Sequence, residues 1–312
     1  MFSRSDTVGL THTRWDPGKK NWALLVALVI LIAIVVFAII SLVGGNRSSL
    51  FPVAVNGKFG FIDKGGKLRV QPQFDAASEF EEGYAPVQIN KRWGYVDKTG
   101  KLAISPQFDM ADPFSDGYAL VGLGPKLGYI DKSGKYVINP QYDGAGSFGD
   151  NLAPVLMGNK WGFIDKHGKL AINSQFDEAG EFSQGRALVK MGDKYGYIDS
   201  SGKLVINPQF AGAGEFNDGL AAVRMGEKFG YIDRSGKLVI NPQFDQAGDF
   251  SSGLAVVSIG QRFGYIDKDG KFAINPQFDN AGPFVAGIAP VWLGNREGYI
   301  DKAGKYIWNP AS

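Results

Sequence analysis

The residues able to do chemistry in this 312-residue chain recur in columns spaced 34 residues apart. Carboxylates stand at Asp63, Asp97, Asp131, Asp165, Asp199, Asp233, Asp267 and Asp301. Such a row could ligate cations, but a calcium site needs several oxygens gathered at one place. An Asp followed at the third position by Gly marks a turn, in which the carboxylate accepts nearby backbone N–H groups. Cations stand at Lys58, Arg92, Lys126, Lys160, Lys194, Lys228, Arg262 and Arg296, and a second column runs from Lys67 to Lys305. On one surface, either column is a basic stripe able to hold an anionic polymer. Paired with the acids, it is cross-strand charge pairing and protection of sheet edges. Rings at Phe59, Trp93, Trp161, Tyr195, Phe229 and Phe263 share a column with Leu127. They form a candidate groove for stacking sugars or peptide, or else core between units.

Catalysis finds little support. The only histidines are His12 and His167, and no cysteine is present, which excludes disulfides and thiolate metal sites. An active site in a repeat array should stand out as a local break. The breaks are Ser174, Ser200, Ala211 and Glu297, and none gathers a nucleophile and a base. The expectation is therefore no enzyme, no cofactor and no metal.

The elements that position these columns follow from the repeat itself. A Gly recurs without insertion or deletion at Gly60, Gly94, Gly128, Gly162, Gly196, Gly230, Gly264 and Gly298, and a fixed period in this range marks a repeat architecture. In the unit starting at Ala153, an apolar run ends at Gly158-Asn159, a two-residue turn of type II′. Asn56-Gly57 at the same place signals type I′. Trp161–Ile164 forms the next strand, and Asp165 to Gly168 a type I turn with a G1 bulge. The column Gly83, Gly117, Asn151, Gly185, Gly219, Gly253 and Gly287 reads as left-handed, since Asn replaces Gly at positive φ. Phe80, Phe114, Phe148, Phe182, Phe216, Phe250 and Phe284 fill another column. A unit this small cannot bury such rings alone, so neighbours must cover them.

Trp22 to Val43 is an uncharged apolar stretch. At 1.5 Å per residue it spans about 33 Å, roughly the hydrocarbon thickness of a bilayer. It is too long for the apolar core of a cleavable signal and lacks a following A-x-A-like site. Arg4, Arg14, Lys19 and Lys20 precede it and Arg47 alone follows closely, so the N-terminus is expected in the cytoplasm and the repeats outside. Beyond residue 20 acids and bases balance, which argues against nucleic acid. The expected organisation is a cytoplasmic tail (1–21), a transmembrane helix (22–43), a linker (44–50) and a β-repeat domain (51–312).

The pairs Trp93-Gly94 and Trp161-Gly162, the following Tyr-Val-Asp-Lys or Phe-Ile-Asp-Lys, and the Asn-Pro-Gln-Phe-Asp segments together resemble WG (KWG) repeats across residues 51–312. The resemblance implies a bacterial β-repeat interaction module and supplies no catalytic residues. The hairpins also resemble the aromatic hairpins of choline-binding cell-wall repeats. The expected fold is all-β: eight tandem hairpin units, the last incomplete, stacked as an open superhelix, with a closed propeller of small blades as the alternative. Blades usually need about 40 residues, which disfavours the ring. Partial units at the two ends, which together complete one, favour it. The expected function is a single-pass, membrane-anchored, extracytoplasmic module that binds a partner protein or cell-envelope polymer. The alternatives are a ligand-free stalk and, remotely, a glycan-processing enzyme. Uniform exposed columns would favour the stalk, but Gln88, Gly122, Leu156, Lys190, Arg224, Ser258 and Trp292 differ from unit to unit.

Overall fold

The computed structural model describes residues 50–294 and 296–309. The predicted tail and transmembrane helix, and the linker up to residue 49, lie outside them; Leu50 already belongs to a strand. Among the described residues no helix is long and apolar enough to cross a membrane.

Apolar columns of aromatic and β-branched residues, cut by Gly turns, fold as short antiparallel meanders. The fifth sheet is representative: Glu178–Ser183, Arg186–Met191, Lys194–Ile198 and Leu204–Phe210 pair in chain order. Its first turn, Gln184-Gly185, has φ of 54° and 76°, the type I′ pattern. The second begins at Gly192, φ 64°. The third is the expected bulged turn: Gly202 N donates to Asp199 O at 2.9 Å and Asp199 N to Lys203 O at 3.0 Å. Asp199 Oδ1 accepts from the backbone N of Ser201 and Lys203. The same bonds recur at all eight aspartates of the column, which are therefore turn-formers.

Eight such sheets stand side by side, six with four strands each among the described residues. The fourth sheet replaces its first strand with the bridges Ala145↔Val155 and Gly149↔Leu152, and the first sheet has three described strands. The core lies between sheets, not within them. One cluster joins Tyr197, Ile206 and Phe210 of the fifth sheet to Phe216, Ala221, Val223 and Ile232 of the sixth. Tyr197 meets Phe216 at 4.7 Å between ring centroids. Every Phe of the Phe80 column is at most 3% exposed, as expected if neighbours must shelter it.

The last sheet packs on the first. Phe51, Val53 and Ile62 share a cluster with Ile288 and Tyr299, and the Tyr299 hydroxyl donates to Pro52 O at 2.7 Å. The array is thus a closed eight-bladed β-propeller, which corrects the favoured open superhelix to its alternative. A blade of this length suffices because its first strand shrinks to two paired residues in units such as Ala76–Ala77, and because two of its three hairpin turns have two-residue loops. Among the described residues the ends do not complete one shared unit either. The last sheet has four strands of its own, from Asn280 to Trp308, and closure comes from face-to-face packing.

The repeated Gly is explained by a close approach. A Cβ on Gly196 would lie 2.5 Å from Ile206 O and 2.7 Å from Pro208 N, where the fourth strand bulges against the third. Both obstacles are backbone and cannot step aside. Gly196→Ala should therefore lower stability in urea unfolding by about 1–3 kcal/mol, the usual range for overpacking. Gly226→Ala serves as the comparison. It meets no steric clash and reports only the strain of its positive φ.

Candidate functional site

Two sets of hydrogen bonds join neighbouring first strands and run in opposite senses. Gly185 N donates to Asp150 Oδ2, Gly219 N to Gln184 Oε1 and Gly253 N to Asp218 Oδ2, each reaching back to the preceding blade. Ser147 N donates to Glu181 Oε1, Glu181 N to Glu215 Oε1, and Glu215 N to Asp249, each reaching forward. Bonds between equivalent residues of successive blades place these strands nearest the ring axis. A further tie is the phenol of Tyr197, whose hydroxyl donates to Gly214 O at 2.7 Å. The same bond recurs from Tyr95, Tyr129, Tyr231 and Tyr265.

An arc of carboxyls therefore lines one side of the axis. Burial pushes Glu215 up to about 7, helped by the charge of Glu181. Burial likewise raises Asp249 to about 6, against the hydrogen bond from Glu215 N. Asp112 is raised by burial and then by Glu181. Among the described residues no group of acids and histidines is arranged to hold a metal. Glu181, Glu215 and Asp249 of this arc already accept backbone N–H groups, which ties their blades together.

The predicted basic column lies on the face formed by the turns between second and third strands. Six of its members meet an aspartate 17 residues on: Lys58–Asp75, Arg92–Asp109, Lys126–Asp143, Lys160–Asp177, Lys228–Asp245 and Arg262–Asp279. The lysine hydrogen bond is the largest influence holding Asp177 and Asp245 below the usual carboxylate range. Lys194 and Arg296 have no such partner among the described residues. The stripe is therefore largely neutralised in place. The aromatic column does not form an open groove. Phe59, Trp93, Trp161, Tyr195, Phe229 and Phe263 are half-buried and pack against the clusters between blades. Tyr195 also donates to Glu178 Oε2 and lies under Lys190. His167 sits in a third-to-fourth-strand turn.

A different column gives this face its chemistry. Leu123, Met157, Met191, Met225, Ile259 and Leu293 are each 39–48% exposed at the end of the second strand. Each pairs across its turn with a member of the basic column, as Met191 does with Lys194 and Met225 with Lys228. The face thus carries a circle of apolar side chains interleaved with ion pairs. The signal was available in the sequence: an apolar residue directly before a turn in every unit, where a strand end meets solvent.

The repeat profile described as WG containing repeat matches residues 59–93, 93–124, 128–161, 161–195, 195–229, 229–262 and 263–296. The chain belongs to the WG-containing repeat family. In this WG-repeat protein the Trp is kept only at Trp93 and Trp161, and the propeller retains its geometry with Phe, Tyr, Leu or Glu instead. No curated protein matches the chain in sequence. Among solved structures, the WG-repeat ring is similar to dihydro-heme d1 dehydrogenase NirN in complex with DHE, with 13% identity and a TM-score of 0.56 over 84% of this chain and 73% of that one. It is also similar to a eukaryotic initiation factor, with 10% identity and a TM-score of 0.54 over 84% and 85%. Hsv2p of Kluyveromyces lactis matches at 10% identity and a TM-score of 0.50 over 72% and 91%. These likenesses concern the fold alone.

The raised carboxyl of Glu215 sets a pH dependence. Folded, it holds a proton up to about 7, whereas unfolded it releases it near 4.5. The folded state binds more protons between those values, so stability falls as pH rises through that window and levels off above it. Glu215→Gln should remove its share of the decline, leaving the share that Asp249 contributes below about 6. The difference in unfolding free energy, variant minus parent, should grow from pH 4.5 to 7 and then stay constant.

Proposed function

We propose that this propeller is a non-catalytic binding module that docks a protein partner on the face ringed by Leu123, Met157, Met191, Met225, Ile259 and Leu293. We further propose that residues 22–43 hold it at a bacterial cell membrane with the ring outside the cytoplasm. The single observation behind the docking reading is that circle of exposed apolar side chains, interrupted by neutralised ion pairs. Large exposed apolar patches with polar rims mark protein contact sites, and Met-rich surfaces adapt to varied partners. An anionic envelope polymer is the weaker ligand, because most of the basic column is already paired. A ligand-free stalk gives no account of side chains that differ from blade to blade on one face. The variable column from Gln88 to Trp292 lies one residue before the apolar circle, on the same strands. The membrane reading draws on the uncharged stretch from Trp22 to Val43 and its basic N-terminal flank.

A photo-crosslinking amino acid placed at Met157 in the full-length chain should capture a single stoichiometric partner in the native envelope. One placed at Lys98, in a turn of the opposite face, should not. The double variant Met191→Glu, Met225→Glu should abolish the capture while preserving the unfolding midpoint to within a few degrees. Equal capture from both faces, or capture untouched by the double variant, overturns the docking assignment.

A further inference from the structure

Five aspartates on this face do two jobs at once. Asp177 accepts from Lys160 Nζ at 2.6 Å and from Gly192 N at 2.7 Å, linking a cation to the backbone of the next blade's turn. Asp75, Asp109, Asp245 and Asp279 bridge in the same way, to Asn90, Gly124, Gly260 and Gly294 N. At the equivalent position between the fifth and sixth blades the chain has Ala211. The cation, Lys194, and the turn amide, Gly226 N, are both retained, and neither has a hydrogen-bond acceptor among the described residues. Lys194 is half-buried and not splayed into solvent. A second cation has been added: Arg224, on the sixth blade, reaches across so that its guanidinium donates to Ala211 O at 3.2 Å.

A cavity of about 240 Å³ opens at this spot, lined by Lys194, Phe210, Ala211, Arg224, Met225 and Gly226. At six other places on the face, the corresponding space is filled by a carboxylate that belongs to the ring. Here the carboxylate is missing and its donors remain. Glu178, on the fifth blade, is already bound by Lys190 and Tyr195. The break also falls beside Met225, a member of the apolar circle.

We propose that this gap is a carboxylate-binding subsite that takes an Asp or Glu side chain of the docked protein partner. This inference rests on the docking reading above and adds the residue chemistry that the partner must supply. An incoming carboxylate would stand in for the missing aspartate, with one oxygen on Lys194 Nζ and the other on Gly226 N–H, and Arg224 closing over it. Ionised acceptors make the stronger hydrogen bonds, and the position beside an apolar anchor favours an acidic residue next to an apolar one. Arg296 also lacks an aspartate among the described residues, but only at Ala211 does an arginine of the variable column, Arg224, stand over the gap, so the subsite would fix the rotational register of the partner on a nearly symmetric ring.

The test uses the full chain labelled with [15N]glycine in detergent micelles and titrated with N-acetyl-aspartate amide. The Gly226 amide should shift saturably, with a dissociation constant on the order of millimolar for so small a probe. The Gly260 amide, already bonded to Asp245, should stay still. Ala211→Asp restores an internal carboxylate of the kind five other units use and should fold normally. It should abolish the Gly226 response, and Lys194→Met should weaken it at least about tenfold, roughly the loss of one charge-assisted bond. A response that persists in Ala211→Asp, no response in the parent chain, or tighter binding of inorganic phosphate than of the aspartyl probe overturns the proposal. The photo-crosslink at Met157 separates the two readings. If Ala211→Asp keeps the capture that Met191→Glu, Met225→Glu destroys, the docking face stands and the subsite falls. If neither change alters capture, both fall.

Discussion

Every sheet in this protein has two apolar faces, and a two-faced sheet of about thirty residues has nowhere to hide them except against its neighbours. That single constraint organises the molecule. Tyr197 leaves its own sheet to pack on Phe216 of the next, and its hydroxyl bonds to Gly214 of the same neighbour. An open stack would leave one apolar face bare at each end. Closing Phe51 and Ile62 onto Ile288 and Tyr299 leaves none. The ring is the arrangement in which all eight interfaces are satisfied at once.

Much of the local structure was legible in the sequence because it is dictated within a few residues. The Asp-to-Gly spacing identified the bulged turns, and the Gly–Asn exchange at position 151 identified a left-handed column that the structure confirms at φ 69°. The Gly60 column marked the repeat, and its physical reason is the bulge of the fourth strand against it. Closure was not legible. It depends on the angle between neighbouring sheets, which arises from twist and side-chain volume and not from any residue type. The expected need for a longer blade failed because a first strand such as Ala76–Ala77 can be two residues long and still bond to its neighbours.

The functional columns divided along the same line. Pairing of the basic column with aspartates was foreseeable as one of two readings, but the partners proved to be a second set of aspartates, at the start of the next blade. The aspartates of the turns are occupied with their own backbone. The aromatic column was ambiguous because a ring at a strand end can face either a neighbour or solvent, and here it does some of each. The apolar circle was overlooked because period-two alternation assigns such positions to the core. The end of a strand escapes that logic once the neighbouring blade stops short. In a molecule built by repetition, shared positions explain the scaffold, and the exceptions, such as Ala211, mark what one sector does differently.

The opposed hydrogen bonds at the axis have a mechanical meaning. Between the fourth and fifth blades, Glu181 reaches back to Ser147 while Asp150 reaches forward to Gly185. The two interfaces that follow are fastened in the same crossed fashion. A single set of hooks would resist sliding in one direction only, whereas crossed hooks resist shear both ways. That half of the wheel should behave as a stiff hub, so a visitor at its edge would meet a fixed template and not a surface that moulds itself on arrival.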